Sequence, residues 1–185
     1  MKRKNTVLFL IIALSFILLI GCSSPESEAE EPEVALEEPE NETEKPEKND
    51  PVYAPNFQLE GIDGKNYELS EFEGKKVILN FWATWCPYCV DEMPALSKLS
   101  NTYKDDLVVL AVNVDESESK IKNFLEDNPD INLNILLDPK GKIASTYGAN
   151  ALPLSIGINS DGTIETGYPG MLKYEQMEAM YNMLK

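Results

Sequence analysis

Apolar and polar positions follow two rhythms along the last two-thirds of the chain, and each change of rhythm marks an element. Phe57-Gln58-Leu59 alternates with period two, and Asp63-Gly64 followed by Lys65–Leu69 predicts a hairpin. Val77–Trp82 is apolar except for Asn80, and Leu107–Val112 is apolar throughout, so both read as buried strands. Between them, from Cys86 to about Lys104, apolar residues fall at Met93, Leu96, Leu99 and Tyr103, a helical spacing. Ser117 is placed to cap a helix carrying Ile121, Phe124 and Leu125, which Asn128-Pro129 ends. Ile135–Leu137 predicts a short strand and Lys142–Tyr147 a short helix. Leu154–Ile158 and Thr163–Thr166 flank the turn-like Ser160-Asp161-Gly162 and predict an antiparallel pair. A helix with Met177, Met180, Tyr181 and Leu184 on one side closes the chain. Strands alternating with helices call for crossovers and a mostly parallel central sheet, to which the last hairpin adds an antiparallel edge. The expected fold class is α/β, a central mixed sheet with helices on both faces.

Before residue 51 the pattern is different. Met-Lys-Arg-Lys leads into a nearly unbroken apolar run from Val7 to Ile20, followed by Gly21 and Cys22. A cationic start, a short apolar run and a small residue describe a secretory signal peptide over residues 1–21. The run is shorter than the roughly 20 residues that a spanning helix needs. Its end, Leu19-Ile20-Gly21-Cys22, resembles the lipobox of bacterial lipoproteins, which implies a lipid on Cys22 and a mature chain beginning there. The alternative is an uncleaved signal anchor in which Cys22 is incidental. Both readings put the remainder outside the cytoplasm, tethered to the membrane.

Residues 23–50 hold twelve Asp or Glu, two Lys, four Pro and no aromatic residue. Such a segment cannot bury enough apolar surface to offset its ordering entropy, so 22–50 reads as a disordered, lipid-anchored spacer. Of the net charge of −16, the first residues supply +3 and the spacer −10, leaving −9 on a domain at 51–185. An acidic domain without a basic patch is a poor nucleic-acid binder, and it gains nothing from anionic headgroups. A monomer is expected.

The chain has three cysteines: Cys22 and the pair in Cys86-Pro87-Tyr88-Cys89. That pair follows a predicted strand and opens a predicted helix. A sulfur at a helix N-terminus faces unpaired N–H groups and the positive end of the dipole, which favour the thiolate that disulfide exchange requires. Pro87 suits the first turn, where its missing donor costs little. Cys86, open to solvent, is therefore the expected attacking sulfur, and Cys89, one turn deeper, the resolving one. A structural disulfide across so short a loop stabilises little. A zinc site needs two further ligands, and the chain has no His and no other cysteine in this domain. Haem attachment needs His where Val90 stands. No metal or cofactor is expected.

The segment from Asn80 through Trp82, Trp85, Cys86 and Cys89 to Pro94 resembles the active-site region of the TlpA/ResA family of thioredoxin-like oxidoreductases. Ala54-Pro55-Asn56-Phe57 resembles the opening of that family's domain, and Ala151-Leu152-Pro153-Leu154 its cis-proline loop. The three motifs occur in the family's order. The resemblance implies a thioredoxin-like fold with Pro153 cis beside the disulfide, so that Leu152 offers backbone groups to a substrate peptide as an added strand. Leu152 departs from the polar or β-branched residue often found there. Glu92, three residues after Cys89, shares its helix face. The resemblance implies that this glutamate influences the cysteines, by taking a proton from Cys89 or by raising thiol pKa values through its charge. Asn80 stands where thioredoxin has a buried acid, and an amide cannot act as a base. Pro94 is expected to kink the helix. Trp85, Pro87 and Tyr88 are expected at the docking surface and Trp82 in the core.

Few cations surround the motif, which disfavours a strongly oxidising pair. The resemblance points the same way, to reduction of exported proteins' disulfides, apocytochrome c among them, with a membrane thiol carrier supplying electrons. Two alternatives stand beside this reading: an oxidase that installs disulfides, and a thiol-based copper-binding module.

Overall fold

The computed structural model describes residues 50–185. The predicted signal segment, Cys22 and nearly all of the acidic spacer lie outside the described residues.

The elements run β1 Gln58–Gly61, β2 Asn66–Glu68, a 3-10 turn at Leu69–Phe72, β3 Lys76–Trp82, α1 Pro87–Thr102, β4 Leu107–Val114, α2 Glu118–Asp127, β5 Asn134–Asp138, α3 Lys142–Thr146, β6 Leu154–Ile158, β7 Ile164–Pro169 and α4 Tyr174–Met183. They build one seven-stranded sheet in the order β2-β1-β5-β4-β3-β6-β7. The expectation of a mostly parallel sheet is corrected. Only β3–β4 and β4–β5 are parallel, whereas β1–β2, β1–β5, β3–β6 and β6–β7 are antiparallel. Strand–helix alternation reports the crossovers but is silent about β6 returning beside β3.

The two parallel steps cross the sheet in the same direction, so two right-handed crossovers put α1 and α2 on one face. Leu96 and Leu99 of α1, Ile121 of α2, and Met177 and Met180 of α4 share a core there with Ile78 and Trp82. The opposite face is covered more thinly, Leu69 and Ala144 packing with Val77, Leu79 and Phe81. Strict alternation along β3 thus feeds both cores, each fully buried side chain contributing roughly 1.5–3 kcal/mol. A glycine at 157 lets α4 lie close to β6, because a Cβ there would meet Leu184 Cδ2 at 2.8 Å.

Several boundaries differ from the sequence pattern. The apolar run of β4 extends to Val114, and β7 runs to Pro169 rather than ending at Thr166. Leu69 opens the 3-10 turn instead of ending a strand. Ser117 occupies the N-cap of α2 but makes no side-chain cap bond; its hydroxyl meets that of Ser119 at 3.2 Å. Pro94 has no N–H to offer Val90, yet α1 runs through it to Thr102.

Candidate active site

β3 ends at Trp82 and delivers the chain to α1 through the turn Ala83–Cys86, closed by the Cys86 N–H donating to the Ala83 carbonyl at 3.2 Å. Cys86 is the N-cap of α1 and Pro87 the first helical residue. The Cys86 Sγ accepts from the Cys89 N–H at 3.3 Å, satisfying one of the donors that a helix start leaves free. Cys86 and Cys89 are joined by a disulfide, their Cα atoms 5.3 Å apart.

Exposure corrects one expectation. Cys86 is only 5% exposed, although Cys89 at 0% is deeper still. In the disulfide form the open surface belongs to the neighbours: Trp85 is 63% and Tyr88 65% exposed, and Pro87 is exposed between them. Trp82 is fully buried, its indole N–H without a partner.

The Leu152–Pro153 peptide is cis. Phe81 pairs with Leu154, so Pro153 falls one step further along, level with the end of β3. Pro153 is buried and Leu152 half-buried, Leu152 packing against the cluster that contains both cysteines. The Pro153 carbonyl accepts from Gly170 N–H at 2.8 Å, tying this loop to the segment after β7.

Glu92 is buried, as its helix face requires. Asn80 and Ser155 are register partners pointing toward α1. The Asn80 amide donates to Glu92 Oε1 at 2.8 Å and to Ser155 Oγ at 3.0 Å. Glu92 Oε2 accepts from the Leu172 N–H at 2.9 Å. Burial pushes the Glu92 pKa up to about 6, against the lowering effect of the Leu172 and Asn80 hydrogen bonds. The Asn80 Oδ1 is buried without a partner. The acid is thus able to exchange a proton near neutral pH, and Asn80 serves it as a donor rather than as a base.

A second buried carboxylate, Glu116, has no counterpart in the sequence reading. It follows β4 and accepts from Thr84 N at 2.6 Å, Thr84 Oγ1 at 2.7 Å and Asn113 Nδ2 at 2.9 Å, and it pairs with Lys120 at 2.5 Å. Burial pushes its pKa up, but the bonds from Lys120, Thr84 and Asn113 outweigh that and hold it below the usual carboxylate range. The one sequence signal was Glu116 four residues before Lys120 on a helix entry. Ser155 and the Leu172 N–H were likewise invisible, being 75 and 80 residues from their partners.

A cavity of about 330 Å³ lies elsewhere, lined by Tyr53, Asn56, Phe72, Val77 and Ile158. Val77 and Ile158 are the far ends of β3 and β6 from the disulfide, so this space takes no part in the site. Among the described residues no group of three His, Cys, Asp or Glu is placed to hold a metal ion.

Comparison with known proteins agrees with this geometry. Residues 52–166 match the AhpC/TSA family. The thiol-disulfide oxidoreductase ResA of Bacillus thuringiensis subsp. konkukian is 40% identical over 126 residues, 68% of this chain and 72% of that protein. The structure of a thiol:disulfide interchange protein DsbE from Chlorobium tepidum, itself described as putative, superposes with a TM-score of 0.67 at 30% identity, covering 71% of this chain and 94% of that one. The pneumococcal exposed lipoprotein thioredoxin Etrx1 of Streptococcus pneumoniae strain TIGR4 gives a TM-score of 0.63 at 34% identity, over 69% and 99% of the respective chains. The seven-stranded sheet is therefore thioredoxin-like, as the motifs led one to expect.

Proposed function

Because this chain belongs to the AhpC/TSA family and is a thiol–disulfide oxidoreductase of the ResA type, we propose a specific task for it: reducing disulfides of exported proteins outside the cytoplasm. The observation that carries this reading is the Cys86–Cys89 disulfide at the N-cap of α1, with Cys86 the less buried sulfur.

In the reduced enzyme the Cys86 thiolate attacks one sulfur of a client disulfide. A Cys86–client bond forms, the client's own bond breaks, and its other sulfur leaves as a thiolate that takes a proton from water. Cys89 then gives its proton to Glu92 and attacks Cys86 Sγ; the Cys86–client bond breaks, and the second client sulfur leaves as a thiolate that takes the proton on from Glu92. Two electrons have passed to the client, and the enzyme is left as the disulfide. A membrane thiol carrier returns it to the dithiol. Glu92 suits the proton step because its pKa of about 6 lets it hold or release a proton near neutrality. Trp85, Pro87, Tyr88, Leu152 and Pro153 form the client-docking rim, with apocytochrome c the favoured client.

The same proposal includes a tether, resting on the lipobox-like end of the first apolar run: residues 1–21 as a signal peptide, a lipid on Cys22, the acidic 22–50 as spacer and 51–185 as the redox domain. One of the similar structures is itself an exposed lipoprotein, which supports the arrangement.

Replacing Cys89 with Ala tests the exchange scheme. The variant is expected to accumulate a mixed disulfide on Cys86, and the captured protein identifies the client. Capture only by the reverse variant, Cys86→Ala, reverses the roles, and capture by neither contradicts exchange. Capture of reduced clients by an oxidised enzyme of high reduction potential indicates the oxidase direction.

A further inference from the structure

We infer that Glu116 is a positioning residue for Cys86, holding the turn that presents this sulfur at the start of α1. The inference rests on the reading of Cys86 as the attacking cysteine. In the turn Ala83–Cys86 the second residue is Thr84, and Glu116 grips both its backbone N–H, at 2.6 Å, and its hydroxyl, at 2.7 Å. The Cys86 N–H to Ala83 bond closes the turn, and Cys86 is tied on into α1 through its Sγ and carbonyl, so the two Glu116 bonds are the ones that hold Thr84. Ala83 is fixed by packing in the core, but Trp85 is largely exposed and supplies little, so the carboxylate fixes the middle of the turn.

Glu116 is brought to the turn by an unusual backbone. Asp115 has φ of 58°, the one non-glycine residue with positive φ among the described residues. Asp is among the residues that tolerate this left-handed step. Its N–H donates to the Asp138 carbonyl at 3.0 Å, and the step turns the chain from β4 toward the β3–α1 loop. Strained backbone persists where its surroundings over-determine it, and such places cluster at functional sites. The carboxylate is anchored from behind by Asn113 and Lys120. Each of its oxygens therefore has one partner in the turn and one outside it. That is the geometry of a clamp between two loops at the same end of the sheet.

A clamp and a bare charge make opposite predictions for the thiolate. Loosening the turn takes Cys86 away from the helix N-terminus and disfavours the anion. Removing a negative charge nearby favours it. The experiment is the pH profile of iodoacetamide alkylation at Cys86 in the reduced full chain, read by peptide mass spectrometry, with near-UV circular dichroism to verify folding. Glu116→Ala is expected to move the midpoint up, leaving roughly threefold less thiolate at neutral pH. Glu116→Gln keeps an oxygen for the Thr84 N–H and is expected to restore the wild-type midpoint or lower it. Thr84→Val keeps the N–H bond, loses the hydroxyl bond and is expected to shift upward by less than Glu116→Ala. Midpoints unmoved in both Glu116→Ala and Thr84→Val overturn the inference, as does an equal downward shift in both Glu116 variants. If Glu116→Ala fails to fold, Thr84→Val decides alone. A wild-type Cys86 inert at every pH overturns the exchange reading itself.

Discussion

Two buried carboxylates stand at the two ends of the redox motif, and they are provisioned in opposite ways. Glu92, one helical turn beyond Cys89, accepts two hydrogen bonds and keeps a pKa of about 6. Glu116, in contact with the residue two before Cys86, accepts three and adds an ion pair, and its pKa is depressed. Depth does not separate them, since the Glu116 side chain is 2% exposed and Glu92 is 1% exposed overall. Donor supply does. A buried acid with too few donors holds its proton into the neutral range and is able to pass it on, whereas one saturated with donors stays anionic and holds its partners in place.

The largest effect is expected at the saturated acid. Glu116→Ala strands the Thr84 N–H and the Asn113 amide, and is expected to cost about 3 kcal/mol in urea unfolding. A loss below about 1 kcal/mol contradicts the claim that this site is tightly satisfied.

For the under-supplied acid the effect is a slope. Its folded pKa of about 6 lies above the unfolded value near 4.5, so the folded state binds the proton more tightly. The stability this contributes is complete below pH 4.5 and disappears as pH rises through 6, a loss of about 2 kcal/mol. Unfolding at pH 4.5 and 7.5 is expected to show that extra loss in the wild type and not in Glu92→Gln. The same variant removes the proposed proton acceptor for Cys89, and release of a mixed disulfide is expected to slow roughly tenfold in single-turnover exchange at neutral pH.

Smallest is the effect of restoring an acid at the sheet. Asn80→Asp places a second carboxylate against Glu92, and like charges hold a proton to higher pH. The pH profile of exchange is expected to move upward, with a roughly threefold lower rate near pH 6 and none of that difference at pH 9.

What the sequence discloses about this site follows from the distances involved. Cys86, Cys89 and Glu92 lie on one local helix, so spacing alone relates them, and period-two alternation in β3 puts Trp82 in the core. Trp85, past the end of the strand, falls on the surface. Asn80 was legible as a non-acid but not as a donor, because its partners Ser155 and Glu92 meet it only through the β3–β6 register and the packing of α1. Glu116 was missed because 32 residues separate it from Thr84, and because a left-handed Asp115 leaves no periodic trace. The fold shows the same division: local rhythms revealed the strands and helices, while the antiparallel return of β6 beside β3 is a long-range choice. The low exposure of Cys86 is also a tertiary outcome, set by packing around the disulfide rather than by its position in the chain.

Differential alkylation of the freshly reduced, folded protein tests whether Cys86 is the entry sulfur. Brief iodoacetamide treatment followed by fragment mass spectrometry is predicted to find the label on Cys86 with Cys89 unmodified. Label appearing first on Cys89, or equally on both, contradicts the assignment of Cys86 as the sulfur through which clients enter.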